Sequence, residues 1–417
     1  MKFGLIGKKL AHSYSKIIHE LMGYPYDLIE LEESELKEFF AAKDFDAINV
    51  TIPYKTDVMP YLHEISEKAQ KIGSVNTIVK KSGGRLVGYN TDYDGFVYML
   101  NRAGISVTGK KVLILGSGGT SKAALAVCND LKAKEIIIIS RSGENNYENI
   151  ERHADADVII NTTPVGMYPH NGKSPVSLDI FTKLQGVVDV IYNPLKTELL
   201  LQAEEKGIKF TNGLPMLCAQ AVYAADHFFE VCPEIRPKLA FSEKEPLEES
   251  IIKEIEKLCT NIIFIGMPGC GKSSIGKAVA EITGREFYDT DAIVEEITGM
   301  SNQDFLHKYG EAAFREKEAK IAEEVGTKSG SVISTGGGIV KNPQNVKHLR
   351  QNGKLIFIDR EIEKLSLVGR PLSKDLATLK QMYIERLPLY KAAADMILYN
   401  VGTVKSAARA IVEMLEY

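Results

Sequence analysis

The chain has 417 residues, of which 51 are basic and 55 acidic, so its formal net charge is −4. This balance argues against a nucleic-acid partner, and a hydrophobic content of 44% argues against a disordered chain. No apolar run approaches the roughly 20 residues needed to span a bilayer, and the first residues lack a secretion signal, so we expect a cytoplasmic protein with no membrane contact.

Strand-like apolar runs alternate with helical patterns along most of the chain, from FGLIG and AINVTIP to NIIFIG, SVIST and KLIFID. This alternation is typical of α/β folds, in which helices flank parallel sheets. The alternation stops at 238–260, where the sequence is rich in charge, and we predict a linker there. Ile251, Ile252, Ile255 and Leu258 recur at helical spacing, so part of the linker is expected to be helical.

Polar clusters follow the apolar runs of the first hundred residues: HSYS, NVTIPYK, SVNT and NTDYDG. In open α/β sheets, ligands bind at the carboxyl ends of strands, which is where these clusters are predicted to lie. Lys55 and Asp92 could form an ammonium–carboxylate pair that moves a proton during carbonyl reduction. Each residue also has a simpler interpretation, Lys55 as a solvated side chain and Asp92 as a helix cap.

A glycine-rich turn follows the strand KVLILG and opens the helical run TSKAALAVCNDL. Bare backbone at Gly116, Gly118 and Gly119 would let a pyrophosphate approach the helix N-terminus, although a plain tight turn is the alternative. The next strand ends in Ser140 and Arg141, with no carboxylate to hold a ribose hydroxyl. An arginine there favours NADP over NAD.

The ordered motifs of residues 1–236 resemble those of the shikimate dehydrogenases, from HSYS and NVTIPYK through GYNTDYDGF and GSGGTSKA to DVIYNP and GLPMLCAQA. The resemblance implies that Lys55 and Asp92 are the catalytic pair. It also implies substrate contacts from Ser13, Ser15, Thr51, Asn76, Tyr192 and Gln220. The implied NADP site comprises Gly116, Ser117, Gly118, Gly119, Ser140, Arg141, Thr162, Gly213 and Met216.

A phosphate-binding loop is the strongest signal in the second half, where GMPGCGKSS follows the strand NIIFI and precedes a helix. The pattern GxxxxGK[ST] predicts that backbone N–H groups and Lys272 bind phosphates and that the Ser273 hydroxyl is a ligand of magnesium. The predicted ATP-binding residues of the loop are Gly269, Cys270, Gly271, Lys272, Ser273 and Ser274.

Two further motifs suggest the acceptor side of a kinase. In FYDTD, period-two spacing at a strand end would place Asp289 and Asp291 on one side, the first near magnesium and the second facing an acceptor hydroxyl. In STGGGIV, three glycines would let backbone approach a small ligand, or would simply form a turn.

Together, GMPGCGKSS, FYDTD, GEAAFREKE, STGGGIV, GRPL and ERLPLY resemble the shikimate kinases. The resemblance implies that Asp291 contacts the acceptor and acts as base, that Asp289 lies beside the magnesium, and that Arg370 covers the phosphates. It further implies that shikimate contacts Asp291, Arg315, Gly336, Gly337, Gly338 and Arg386.

The expected architecture is an α/β protein in which a two-lobed dehydrogenase precedes a P-loop kinase domain with a parallel sheet. The predicted parts are a substrate lobe (1–100) to which a helix at about 215–236 returns, a Rossmann-type NADP lobe (101–214), the linker (238–260) and the kinase domain (261–417). The predicted function is reduction of 3-dehydroshikimate by NADPH followed by phosphorylation of shikimate by ATP with Mg²⁺.

Two alternatives remain open for the first half: a dehydrogenase that accepts quinate, or a non-catalytic binding module attached to a small-molecule kinase. The sequence predicts small-molecule substrates as partners and leaves the oligomeric state undetermined.

Overall fold

The structure is a computed structural model that describes residues 2–10, 13–235, 245–365 and 376–416. The chain separates into two compact units. Unit 1 comprises Met1–Tyr192 and Thr197–Ile255, and unit 2 comprises Asn193–Lys196 and Glu256–Tyr417.

The first lobe of unit 1 is built on a mixed sheet with the strand order β2-β1-β3-β5-β6-β4. Strands β1, β2 and β3 are parallel, β5 runs antiparallel to β3 and β6, and β4 pairs with β6 in parallel. The elements are β1 (Phe3–Gly7), α1 (Ser15–Leu21), β2 (Asp27–Glu30), α2 (Leu36–Ala42), β3 (Ala47–Val50), β4 (Glu64–Ile65), α3 (Glu67–Ile72), β5 (Thr77–Lys81), β6 (Arg85–Tyr89) and α4 (Asp92–Arg102).

The second lobe of unit 1 is a parallel sheet with the strand order β11-β10-β9-β7-β8. Since β8 and β9 lie on opposite sides of β7, the chain changes direction at the carboxyl end of β7, as in nucleotide-binding sheets of the Rossmann type. The elements are β7 (Lys111–Leu115), α5 (Gly119–Asp130), β8 (Glu135–Ile139), β9 (Val158–Asn161), β10 (Gly186–Asp189), α6 (Glu198–Glu205), β11 (Lys209–Thr211) and α7 (Leu214–Val231).

Helix α7 follows the second sheet and packs on the first lobe, against α4, α1 and β5. The contact between α4 and α7 is close because Gly95 has no side chain: a Cβ there would lie 2.7 Å from the Met216 carbonyl oxygen and 2.9 Å from Gln220 Cβ. The lack of a side chain at Gly95 therefore lets Gln220 approach the helix that begins with Asp92.

The residues predicted as a linker are described from 245 onward, and there they form α8 (Leu247–Cys259). Through Ile255 this helix belongs to unit 1. Its apolar residues Ile251, Ile252 and Ile255 are fully buried, and Glu249 forms an ion pair with Arg102 of α4 at 2.8 Å. The charged composition suggested a connector, but the buried isoleucines make this stretch part of the packing.

Unit 2 is a parallel sheet with the strand order β13-β14-β12-β15-β16, in agreement with the predicted kinase domain. A kink with non-helical backbone at Gly310 interrupts the helix α11. The elements are β12 (Asn261–Ile265), α9 (Lys272–Thr283), β13 (Phe287–Asp289), α10 (Thr290–Thr298), α11 (Asn302–Gly326), β14 (Val332–Ser334), α12 (Pro343–Arg350), β15 (Gly353–Asp359), α13 (Leu376–Ala393), β16 (Met396–Tyr399) and α14 (Val404–Met414).

The three sheets and their flanking helices confirm the predicted α/β class. Among the described residues, the structure has no helix with the length and apolar character needed to cross a membrane.

Candidate active sites

Lys55 and Asp92 meet in unit 1, although they are 37 residues apart in the sequence. Lys55 Nζ donates to Asp92 Oδ2 at 2.5 Å, and the two side chains are 24% and 15% exposed. Lys55 lies in the loop after β3, where its carbonyl accepts from Val75 N at 2.8 Å. Asp92 is the first residue of α4, and Thr91 occupies the cap position suggested for Asp92.

Asn76 binds the second carboxylate oxygen of Asp92. Its Nδ2 donates to Asp92 Oδ1 at 3.0 Å and to Gln220 Oε1 at 3.3 Å. The amide orientation is fixed because Asn76 Oδ1 accepts from the backbone N–H of Thr91 at 2.8 Å. The structure therefore brings together four predicted residues: Lys55, Asn76, Asp92 and Gln220.

The other predicted substrate contacts lie on neighbouring loops of unit 1. Ser13 and Ser15 form a local turn at the start of α1, in which Ser13 Oγ accepts from Ser15 N at 3.2 Å. The rings of Tyr14 and Tyr192 lie 5.7 Å apart, so the loop after β10 contacts the HSYS segment. Thr51 N donates to Ile6 O at 3.0 Å, which holds Thr51 at the carboxyl end of β1.

The predicted NADP residues gather where the second sheet changes direction. Gly116 follows β7 with a φ of 103°, and Gly118 caps α5 without a side-chain hydrogen bond. Thr162 Oγ1 donates to Leu115 O at 2.7 Å beside that turn. Open space lies around the Cα atoms of Gly118 and Gly119, so the N-terminus of α5 is accessible to a phosphate.

The remaining predicted NADP residues flank this turn. Ser140 and Arg141 follow β8, and Arg141 is exposed. Gly213 N donates to Ile191 O at 2.9 Å, which attaches the start of α7 to the loop after β10. Met216 is buried in the first turn of α7, against the core shared with β7 and β9.

A fully buried carboxylate stabilises the loops after β9 and β10. Asp189 accepts from Thr197 Oγ1 at 2.6 Å, from Asn161 Nδ2 at 3.0 Å and from Ile191 N at 3.1 Å. Burial raises the pKa of Asp189 to about 6, and the three hydrogen bonds act in the opposite direction. These bonds hold the strand ends next to Thr162 and Tyr192.

The phosphate-binding loop of unit 2 adopts the predicted strand–loop–helix arrangement between β12 and α9. Lys272 is 7% exposed, and its Nζ donates to the loop carbonyls of Gly266 at 2.9 Å and Met267 at 3.0 Å. Ser273 Oγ lies 3.3 Å from Ser334 Oγ. The Cys270 side chain is fully buried in the core, where its sulfur accepts from Lys272 Nζ at 3.9 Å.

A cavity of about 960 Å³ extends from this loop across unit 2. Most of the predicted kinase residues line it, namely Gly269, Gly271, Lys272, Ser273, Ser274, Asp291, Arg315, Gly336, Gly337, Gly338 and Arg386. Arg370 lies outside the described residues.

The three glycines after β14 let three charged side chains converge. A Cβ on Gly336 would lie 2.6 Å from Asp291 Oδ1, and one on Gly338 would lie 2.1 Å from Arg315 Nη1. Arg386, 7% exposed, donates to the Gly337 carbonyl at 2.9 Å. The cavity thus presents the guanidinium groups of Arg315 and Arg386 beside the carboxylates of Asp291 and Glu318. The guanidinium groups suit a substrate carboxylate, and a carboxylate suits a hydroxyl group.

The period-two argument for FYDTD was wrong for Asp291. Asp289 ends β13, but Asp291 lies in the first turn of α10. Asp289 Oδ1 caps this helix by accepting from Asp291 N at 3.0 Å. Asp291 is exposed and lines the cavity, so it reaches the acceptor side through the helix start and not through strand alternation.

Sequence reasoning missed Glu318, which is 2% exposed and bonds Arg315 Nη1 at 2.9 Å. Burial raises the pKa of Glu318, and Arg315 opposes this shift. The i, i+3 spacing from Arg315 on a helix is the signal that could have predicted the pair. Asn400, which follows β16 and donates to the Cys270 carbonyl at 2.8 Å, had no such signal.

Two family models match parts of the chain. Residues 268–416 match the family model described as shikimate kinase, and residues 5–78 match the shikimate dehydrogenase substrate binding domain.

Among curated proteins, the chain is similar to shikimate dehydrogenase (NADP(+)) of Clostridium perfringens, with 39% identity over 246 residues that cover 54% of this chain and 90% of the relative. The same enzyme of Caldicellulosiruptor bescii is 40% identical over 259 residues, covering 55% of this chain and 90% of the relative.

Among solved structures, a chorismate mutase/shikimate 5-dehydrogenase fusion protein from Clostridium acetobutylicum is similar with a TM-score of 0.55 and 39% identity, covering 61% of this chain and 96% of that one.

Proposed function

The chain belongs to the shikimate dehydrogenase family and carries a shikimate kinase domain, and from this premise we propose which residues perform the two reactions. It is a bifunctional enzyme of the shikimate pathway, both an NADP-dependent oxidoreductase and an ATP-dependent phosphotransferase. The observation that carries the proposal for the first reaction is the ion pair between Lys55 and Asp92, which Asn76 holds from the other side.

In the reductase, NADPH supplies the hydride for the carbonyl carbon of 3-dehydroshikimate. Lys55 Nζ donates the proton to the carbonyl oxygen, and Asp92 orients the ammonium group and stabilises its charge. Asn76, Gln220 and Thr51 bind ring hydroxyls. Ser13 and Ser15 bind the carboxylate, and Tyr192 lies beside them.

On the cofactor side, the exposed N-terminus of α5, with Gly116, Ser117, Gly118 and Gly119, binds the pyrophosphate. Arg141 and Ser140 bind the 2′-phosphate. Thr162, Gly213 and Met216 border the cofactor. The open backbone at Gly118 and Gly119 supports this assignment.

In the kinase, Asp291 accepts the proton of the shikimate hydroxyl, whose oxygen attacks the γ-phosphoryl group of ATP as the bond from that phosphorus to the bridging oxygen breaks and ADP leaves. Arg315 and Arg386 bind the carboxylate, and the backbone of residues 336–338 contacts the ring. Lys272 and the N–H groups of the loop 269–274 bind the phosphates, and Arg370 is expected to cover them.

Mg²⁺ fits the oxygen donors at the phosphate end of the cavity. The hydroxyls of Ser273 and Ser334 lie 3.3 Å apart, and hydroxyl and phosphate oxygens with water are the ligands that magnesium prefers. When bound, the ion neutralises charge on the phosphates. A second contact, between the magnesium and Asp289, stays a prediction, since one carboxylate oxygen of Asp289 caps α10.

All five cysteines are buried. Cytosolic proteins rarely carry disulfides, and we propose that the enzyme acts in the cytoplasm.

The test of the kinase assignment is Asp291→Asn in the full chain, assayed with shikimate, ATP and either MgCl₂ or EDTA. We expect the phosphorylation kcat to fall about 10²- to 10⁴-fold, because the general base is lost, and EDTA to abolish wild-type turnover. Reduction of 3-dehydroshikimate by the same variant is the internal control and should be unchanged. Wild-type phosphorylation rates in D291N would contradict the role of Asp291.

A further inference from the structure

A row of buried polar side chains lies behind Asn76, on the side away from Asp92. Tyr26 Oη donates to Asn49 Oδ1 at 2.7 Å, and Asn49 Nδ2 donates to Thr77 Oγ1 at 3.1 Å. Thr77 Oγ1 donates to Asn76 Oδ1 at 3.0 Å. Tyr26 and Thr77 have no exposed surface, and Asn49 and Asn76 are 5% and 2% exposed.

The donors and acceptors of this row can be arranged in only one direction. Asn49 Nδ2 also donates to the Asn76 carbonyl at 3.2 Å, and a carbonyl can only accept, so the amide orientation of Asn49 is fixed. Thr77 Oγ1 therefore accepts from Asn49. Its own proton can reach Asn76 Oδ1 at 3.0 Å or Thr91 Oγ1 at 3.5 Å, and the shorter bond goes to Asn76, whose Nδ2 donates to Asp92.

The far end of the row is held in place by ring packing. The Tyr26 ring stacks on His19 with centroids 4.0 Å apart and an interplanar angle of 5°. Burial lowers the pKa of His19 to about 3, so this ring is neutral throughout the usual pH range of an assay. Asn49 is therefore held by the hydroxyl of a tyrosine whose ring stacks on a neutral imidazole.

Buried hydroxyl and amide groups are costly when they are not paired, and an apolar core would fill the same volume without that cost. The row connects three chain segments, at β2, β3 and β5, and ends on the residue that contacts both Asp92 and Gln220. Together with the Thr91 N–H, the row specifies which end of the Asn76 amide faces the carboxylate.

We propose that Tyr26, Asn49 and Thr77 are positioning residues that form a buried hydrogen-bond relay, which fixes Asn76 and, through it, the Asp92–Lys55 pair for carbonyl reduction. This inference rests on the proposed function of unit 1. None of the three residues is assigned a contact with substrate or cofactor, so they act only through Asn76.

The test compares Thr77→Val, which removes the hydroxyl at nearly constant shape, with Thr77→Ser, which keeps it. Steady-state reduction of 3-dehydroshikimate by NADPH is measured on the full chain. We expect T77V to lower kcat/KM for 3-dehydroshikimate about 3- to 10-fold, the range of one net hydrogen bond. The KM for NADPH should stay unchanged, and T77S should restore the wild-type value.

Tyr54→Phe is the matched control for a lost buried hydroxyl. Tyr54 is 1% exposed, lies next to Lys55 in the sequence, and donates to Leu31 O at 2.6 Å outside the relay. Tyr26→Phe should impair reduction as T77V does, while Y54F should not. In the double variant Y26F/T77V the two losses should be less than additive, because both interrupt one network.

The KM of each variant for NADPH, which binds to unit 1, reports whether that unit is folded. Equal kinetics of T77V, Y26F and Y54F, or additive losses in the double variant, would overturn the relay while leaving the reductase assignment intact. If wild type itself does not reduce 3-dehydroshikimate, the proposed function fails before the relay is in question.

Discussion

At the residue scale, the ion pair of Lys55 and Asp92 differs from a surface ion pair in its surroundings. Both side chains are largely buried, and the carboxylate has a partner on each oxygen. Partial burial strengthens such a pair relative to solvent-exposed pairs, which contribute little. The Lys55 ammonium group therefore has one fixed acceptor, the Asp92 carboxylate, and has further protons that it can donate.

Replacing Lys55 by methionine keeps the aliphatic stem and removes the proposed proton donor. We expect the reduction kcat to fall about 10²- to 10⁴-fold, with phosphorylation of shikimate unchanged, as measured by NADPH oxidation and ADP release. The matched control is Lys68→Met. Lys68 forms an ion pair at 2.6 Å with Asp94, which lies in the same turn of α4 as Asp92. A K55M variant as active as K68M would contradict the assignment.

A methyl group at Gly338 would meet the Arg315 guanidinium, which would have to move. We therefore expect Gly338→Ala to raise the KM for shikimate about 10-fold, the loss of one charge-assisted contact, with the KM for ATP unchanged. Gly284→Ala provides the control: its φ of 69° makes alanine unfavourable, yet nothing lies near its Cα. Kinetics in which both variants resemble wild type would exclude Arg315 as a carboxylate ligand.

At the element scale, two helices place the reductase residues. Helix α4 carries Asp92 at its start and α7 carries Gln220, and Gly95 permits their close contact. Helix α8 adds a third contact through the Arg102–Glu249 pair. We infer that residues 247–255 stabilise this helix arrangement.

The contribution of α8 can be measured with two substitutions on one helix. Ile252 has no exposed surface, whereas Leu258 is 51% exposed. We expect Ile252→Ala to lower the free energy of unfolding by about 2–5 kcal/mol and Leu258→Ala by less than about 0.5 kcal/mol, measured by denaturant titration. If α8 were an unpacked connector, the two substitutions would lower the free energy of unfolding by small and equal amounts.

The loops after β9 and β10 depend on a carboxylate whose pKa is raised to about 6. In the unfolded chain the group titrates near its ordinary value, so between about pH 4 and pH 6 the folded state binds more protons. The stability contributed by this group is present below pH 4 and is lost as the pH rises through 6.

Asp189→Asn removes that titration. Relative to wild type, the variant should gain stability as the pH rises from 4 to 7. The expected gain is about 3 kcal/mol for a shift of about two pKa units. It is measured by calorimetry, on the unfolding transition whose temperature the substitution changes. Asp179→Asn is the control with opposite sign, because the hydrogen bond from Lys206 lowers the pKa of that exposed carboxyl. A stability difference independent of pH would contradict the burial argument.

At the scale of the whole molecule, the sequence was sufficient for the fold class and for much of both sites. Strand runs such as KVLILG and NIIFIG are buried on both faces, so periodicity and the following glycines locate them well. The pairing of Lys55 with Asp92 was also predictable, because both follow strands whose carboxyl ends share an edge.

Other features depend on contacts between distant residues, and these could not be derived from local patterns. The bond between Asn76 and Gln220 joins residues 144 positions apart, and the packing of α8 depends on a surface made elsewhere in the chain. Asp291 was misplaced because a short strand passes into a helix between Asp289 and Thr290. Spacing alone does not reveal such a change.

The central claim, that one chain performs two successive reactions at separate residues, is tested most directly by one coupled assay. Wild type, Lys55→Met and Lys272→Ala are each incubated with 3-dehydroshikimate, NADPH, ATP and magnesium, and products are identified by mass spectrometry. We predict shikimate 3-phosphate from wild type, reduction by K55M slowed about 10²- to 10⁴-fold, shikimate without phosphate from K272A, and restored shikimate 3-phosphate when the two variants are mixed. Failure of wild type to reduce 3-dehydroshikimate, or shikimate 3-phosphate from K272A alone, would contradict the account.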